Sequence, residues 1–244
     1  MQDEVQTTEV QGALKETAWG VRAPGFEELT MEEALGKESK KMSPEAYYGS
    51  HLPELEAAKQ QVCDLIERYV NTCSHDDDLK PVVYYTTRIK SPESLVEKIM
   101  RKGGTDTSFE AAQSLDIHDI VGMRIICAFV DDVYETAHWL EALPEVEVLE
   151  RKDYIENPKP NGYRSLHLIL KFNQGPAASL KAVEVQMRTI GIDFWATLEH
   201  KIKYKKSVQN PELMQRELKR CADEIASVDI SMQAIRNVIR DSDE

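Results

Sequence analysis

The sequence predicts an α/β (α+β) fold: a mixed β-sheet of about five strands flanked by helices, with further helices at the N- and C-terminal ends. Three observations carry this. Five segments, 81–90, 120–130, 145–155, 163–172 and 181–189, are rich in β-branched or aromatic residues or alternate apolar with polar. Between and around them, apolar residues recur at helical spacing. The order is helix, strand, helix, strand, helix, three strands and helices, so the two element types are interspersed.

The elements follow from their residues. Residues 1–45 are acidic with little periodicity and read as a loosely ordered or accessory extension. From Pro53 to about Cys73, Leu55, Val62, Leu65, Ile66, Tyr69 and Val70 form a helical stripe, which Ser74-His75-Asp76-Asp77-Asp78 breaks. Pro81 to Lys90 is a strand. Ser91-Pro92 opens a helix that ends at Gly103-Gly104. Ile120 to Val130, interrupted mainly by Gly122 and Arg124, is a central strand, and Asp131-Asp132 starts the helix after it. Three strands, a helix from Ile190 to about Lys206 and a long helix, continuous or broken, from Pro211 to about Arg240 complete the chain.

Composition narrows the function classes. The 244 residues are 41% hydrophobic and 30% charged, ordinary for a globular protein with one core and helices to spare. No apolar run approaches the roughly 20 residues that span a bilayer, and Met1-Gln2-Asp3-Glu4-Val5 is not the start of a signal peptide. Cys63, Cys73, Cys127 and Cys221 are scattered, which suggests free thiols in a cytoplasmic protein. Net charge is −13, yet residues 151–206 carry eleven Lys/Arg against five Asp/Glu. An acidic chain with one basic segment repels polyanions at large and admits small ones at one place.

Alternation in 181–189 puts Val183, Val185 and Met187 on one face and Glu184, Gln186 and Arg188 on the other. That polar row is either the solvated side of a half-buried sheet or a site where a carboxylate holds a metal and an Arg neutralises phosphate. Arg124 lies in an apolar strand and needs an anionic partner. Asp119, at the entrance of the same strand, is either that partner or a second metal carboxylate across the sheet from Glu184. Lys159-Pro160-Asn161-Gly162-Tyr163 is a tight, hairpin-like turn, and Tyr163, Arg164, His167 and Lys152 can stack a base and hold phosphates beside it. Thr87 to Ser91, at a strand end before a helix N-terminus, is a second phosphate-binding arrangement. There is no Walker-type loop, so any nucleotide site rests on side-chain cations.

Four segments in order resemble the synthetase domain of RelA/SpoT proteins, specifically the single-domain small alarmone synthetases. They are Thr-Arg-Ile-Lys-Ser-Pro-Glu-Ser (87–94), Asp-Ile-Val-Gly-Met-Arg-Ile-Ile-Cys (119–127), Lys-Asp-Tyr-Ile-Glu-Asn-Pro-Lys-Pro-Asn-Gly-Tyr-Arg-Ser-Leu-His (152–167) and, from Val183 to Lys201, Val-Glu-Val-Gln-Met-Arg-Thr with Asp-Phe-Trp-Ala-Thr-Leu-Glu-His-Lys. The resemblance implies a nucleotidyltransferase-like synthetase domain over 46–206, with 207–244 a helical region used in oligomerisation. It implies transfer of the β,γ-pyrophosphoryl group of ATP to the 3′-OH of GDP or GTP, releasing AMP, in the stringent response. Asp119 and Glu184 would hold Mg²⁺, and Glu184 would take the 3′-hydroxyl proton. Arg88, Lys90, Arg101 and Arg124 would grip ATP. Tyr163 would stack on guanine, and Lys152, Lys159 and His167 would contact the acceptor's phosphates or ribose. Gln186 and Arg188 would support the site. Asp193 stands where the family often has Asn, at the guanine end. The resemblance also implies a homotetramer; single-stranded RNA is a candidate regulator. His75-Asp76 resembles the family's hydrolase His-Asp pair only trivially. Two other readings stay open: a related pyrophosphokinase acting on adenine nucleotides or tRNA 3′ ends, and a non-catalytic RNA- or nucleotide-binding module.

Overall fold

The structure, a computed structural model, describes residues 42–73, 80–115, 117–204 and 210–242. The extension expected over 1–45 falls almost entirely outside them, as does His75-Asp76. Met42 to Glu244 forms one compact unit. Its elements are α1 (Pro44–Tyr48), α2 (Leu52–Thr72), β1 (Val82–Ile89), α3 (Pro92–Arg101), α4 (Phe109–Ser114), β2 (Val121–Cys127), α5 (Val130–Glu141), β3 (Val146–Asp153), β4 (Leu166–Phe172), β5 (Val183–Thr189), α6 (Ile190–Tyr204) and α7 (Pro211–Ser242).

The five strands form a single sheet in the order β1-β2-β5-β4-β3. Only the central β2–β5 pair is parallel; the others are antiparallel. One face is apolar because alternate residues (Val121, Met123 and Ile125; Val183, Val185 and Met187; Leu166, Leu168 and Leu170) point to it and lie fully buried. Onto that face pack Leu55, Val62 and Ile66 of α2, Leu95 and Ile99 of α3, and Val133 and Leu140 of α5. The opposite face carries the polar alternates and becomes the site.

Two short helices escape the sequence pattern. α1 is five residues long, capped by Ser43, whose hydroxyl accepts from Ala46 N. α4, capped by Ser108, buries Phe109 and Ala112. Neither is long enough to show a helical period. The long C-terminal helix, whose continuity the sequence left open, is an unbroken α7 of 32 residues. Its length is supported by anchors along it. Trp195 of α6 donates to the Leu218 carbonyl. Thr189 donates to Asp229. Buried Arg236 bonds Asp132 at 2.8 Å and Asp131 at 3.1 Å while lying over the Phe129 ring.

Candidate active site

Strand register aligns the polar residues in rows across the sheet. Arg88, Gly122 and Glu184 are neighbours in one row. Thr86, Arg124, Gln186, His167 and Lys152 form the next, across all five strands. Tyr84, Ile126 and Arg188 form a third. Since residues directly opposite share a face, four residues far apart in sequence, Arg124, Gln186, His167 and Lys152, point to the same side. Gly122 contributes no side chain, so the floor between Arg88 and Glu184 stays bare.

Asp119 sits at the mouth of β2, three residues before Gly122, and close enough to Glu184 for its charge to oppose ionisation there. Lys90 Nζ bonds its Oδ2 and Lys98 Nζ its Oδ1, each at 2.7 Å. Burial alone would raise this carboxyl, but the two ammoniums outweigh it and hold it at about 2. Burial also lowers Lys90, which Asp119 only partly offsets. Of the two readings of Asp119, the pair with Arg124 is therefore not the one observed. Arg124 is five residues further along the strand, roughly 16 Å away at about 3.3 Å per residue, and its carboxylate is Asp193, at 3.4 Å. Burial first, and then the neighbouring Arg188 and Arg88, lower Arg124 to about 10, against the help of Asp193. It remains a cation in a crowd of cations, a setting that favours a bound polyanion.

Glu184 is fixed by hydrogen bonds to a single oxygen. His167 Nδ1 lies 2.9 Å from Oε1 and Gln186 Nε2 3.1 Å from it. Burial keeps His167 below its ordinary range despite the carboxylate, so the imidazole is uncharged at neutral pH. An ionised carboxylate only accepts, so Nδ1 carries the proton and Nε2 accepts from Tyr163 O–H at 2.9 Å. Tyr163 Oη in turn accepts from Arg188 Nη2 at 2.9 Å. Burial would raise Glu184, yet these donors hold it well below the carboxylate range, with Asp119 opposing them. The bonds from His167 and Gln186 are the cause we assign, since the imidazole carries no charge.

Arg188, only 4% exposed, has every donor group engaged within the chain. Nη1 bonds Asp193, Nη2 bonds Tyr163 and Gln186, and Nε reaches Ser165 Oγ. It is tied into the same polar face as Gln186 and Tyr163. Lys159 Nζ lies 4.8 Å from the Tyr163 ring centre and 4.4 Å from that of Tyr154, and Lys152 pairs with Glu150 at 2.7 Å. The turn bearing Tyr163 is closed by Gly162 N to Lys159 O, with Gly162 at φ +89°. It lies inside the β3–β4 connection, since β4 starts at Leu166 and not 163. Arg101 is exposed at the end of α3, one turn beyond Lys98.

The structure thus gathers Arg88, Lys90, Asp119 and Arg124 on one side of the bare floor and Glu184, His167, Lys152, Lys159 and Tyr163 on the other. Both oxygens of Asp193 have partners within the chain, Arg188 and Arg124 on Oδ1 and Tyr84 O–H on Oδ2 at 2.9 Å. Three contributors escape sequence reading. Lys98 shares the cationic face of α3 with Arg101 at i, i+3, and that spacing was its only signal. Tyr84 and Tyr154 have none, since their neighbours in space are remote in the chain.

A family model described as "Region found in RelA / SpoT proteins" matches residues 87–209. GTP pyrophosphokinase YwaC of Bacillus subtilis (strain 168) is 42% identical over 161 residues, covering 65% of this chain and 76% of that protein. This chain belongs to the RelA/SpoT family. Its fold matches small alarmone synthetase 1 from Bacillus subtilis bound to its product pppGpp, with a TM-score of 0.67 and 31% identity over 78% of this chain and 96% of that one. The same synthetase bound to AMPCPP gives a TM-score of 0.62 and 27% identity, over 78% and 96%. The expected mixed-sheet synthetase fold is therefore the observed one. Among the described residues, no helix is long and apolar enough to cross a membrane.

Proposed function

We propose that this chain is a (p)ppGpp synthetase, a GTP pyrophosphokinase that transfers the β,γ-pyrophosphoryl group of ATP to the 3′-OH of GDP or GTP. The observation that carries this reading is a pair of half-buried carboxylates, Asp119 and Glu184, near the mouth of the parallel β2–β5 pair, close enough that Asp119 opposes the ionisation of Glu184, with a cationic flank on each side. Identity to named GTP pyrophosphokinases supports it.

The donor binds the flank of Arg88, Lys90, Arg101 and Arg124, where the chain's own positive charge is in excess. The acceptor base stacks on Tyr163, with Lys152, Lys159 and His167 at its ribose and phosphates. The acceptor 3′-oxygen forms a bond to the β-phosphorus, the bond from that phosphorus to the α,β-bridging oxygen breaks, and AMP leaves. The hydroxyl proton goes to Glu184. Because His167 and Gln186 occupy Oε1, the oxygen presented to the hydroxyl is Oε2. A transfer of this kind needs positioning and charge neutralisation more than covalent catalysis.

The residues fit Mg²⁺. It takes one or two protein carboxylates together with water and substrate phosphates. Asp119 and Glu184 would hold it, and Asp119 would exchange part of its bonding to Lys90 and Lys98. Bound there, the ion would neutralise charge on the transferred group.

We place the enzyme in the cytoplasm and read it as a homo-oligomer, specifically a tetramer. Support for the assembly is the outer face of α7, where Val228, Met232, Ile235 and Ile239 are each more than half exposed at four- and three-residue spacing, the seam of a helix that packs on another.

The test uses γ-labelled ATP with GDP, GTP, ADP or deacylated tRNA. Label should appear on a guanine nucleotide with release of AMP. Glu184→Gln should lower turnover at least about 1,000-fold while nucleotide affinity changes little. Label on tRNA or an adenine nucleotide would replace the acceptor; unchanged turnover in the variant would remove Glu184 from the reaction.

A further inference from the structure

Asp193 lies in the first turn of α6, and its side chain is 12% exposed. Its Oδ1 is shared between two guanidiniums from different strands: Arg188 Nη1 of β5 at 2.9 Å and Arg124 Nη1 of β2 at 3.4 Å. Oδ2 accepts from Tyr84 O–H. One carboxylate oxygen thus serves two cations whose other contacts diverge. Arg124 faces the donor flank, while Arg188 holds Tyr163 Oη and Gln186 Oε1, which define the acceptor side.

We propose that Asp193 is a positioning residue that couples the two nucleotide subsites. A polyphosphate on the donor flank carries more charge than one carboxylate and draws Arg124 toward itself. The contact surrendered is the longer one. Oδ1 of Asp193 is then left to Arg188 alone, which tightens the bonds fixing the Tyr163 hydroxyl and, through it, His167 and Glu184. Donor binding thereby orders the acceptor platform before the acceptor arrives. Because coupling free energies are reciprocal, the acceptor tightens the donor by the same factor. A neutral Asn of the same shape would keep hydrogen bonds and lose the competition between cations. This inference rests on the placement of donor and acceptor given under Proposed function.

The test is calorimetry on the full chain with GDP, in the absence and presence of saturating AMPCPP, which cannot transfer. In the wild type, AMPCPP should tighten GDP about fivefold or more, and GDP should tighten AMPCPP equally. In Asp193→Asn the factor should fall below about two, with each nucleotide still binding. Tyr84→Phe, which removes a partner of Asp193 without touching charge, should keep the wild-type factor and so separates loss of charge from disturbance of α6. Independent binding in the wild type, or full coupling in Asp193→Asn, overturns the inference and leaves the proposed function standing. Failure of either nucleotide to bind at all overturns both.

Discussion

Replacing Asp119 by Asn tests whether the site carboxylates are stabilised or strained in the ligand-free protein. Two effects oppose each other there. Glu184 repels Asp119 from the neighbouring strand, and Lys90 and Lys98 attract it at 2.7 Å. The lysines win, since the carboxyl is held at about 2 against an ordinary 3.8. At about 1.4 kcal/mol per pKa unit, the ionised carboxylate contributes about 2 kcal/mol to folding at neutral pH. A depressed pKa means that this contribution is complete above the unfolded value near 4 and is lost as pH falls through the folded value near 2. Asp119→Asn should therefore lower the melting temperature at pH 7 by about 4–8 °C for a unit of this size. At pH 3 the gap should be about half as large in free energy. The assay is thermal and urea unfolding of both proteins in chelator, without nucleotide, at the two pH values. A variant as stable as wild type at pH 7, or more stable, would refute the reasoning, because carboxylate repulsion would then dominate the site.

Tyr163 offers a split of roles. Tyr163→Ala should raise the acceptor KM about 5- to 150-fold through loss of stacking, whereas Tyr163→Phe, which keeps the ring and loses the bonds to His167 and Arg188, should lower kcat about tenfold with little change in KM; steady-state kinetics separates the two. Gly162→Ala should cost about 2 kcal/mol in urea unfolding, since a Cβ at φ +89° would meet the Ala222 Cβ at 2.7 Å and the Lys219 Cα at 3.1 Å. Ile235→Asp on the exposed seam of α7 should reduce the native mass measured by light scattering and leave the unfolding midpoint of the dissociated chain intact. An unchanged mass would exclude this face from the interface.

Much of the site was legible because β-structure has a period of two. Once 183–189 is a strand, Glu184, Gln186 and Arg188 must share a face, and Met187 must leave it. The central strand was equally plain, since only Gly122 and Arg124 interrupt its apolar run. Short elements were not legible. α1 and α4 are too brief for a period to emerge, and the continuity of α7 depends on anchors to Leu218, Asp229 and Arg236 that come from other elements. The same limit governs the charges. Arg124 in an apolar strand announces a need for an anion but does not name it, and the nearest acidic residue in sequence proved to be the wrong one.

By itself, the sequence determined which residue types face one another along each strand, where the cations concentrate, and that a site for small polyanions exists. Those properties are local, set by side-chain alternation and composition. The tertiary structure alone decided who partners whom: Lys98 with Asp119, His167 with Glu184, and Asp193 with both Arg124 and Arg188. Such pairs depend on strand order, register and the angle at which α6 leaves β5, and Coulomb attraction acts on distances in space that separation along the chain does not encode.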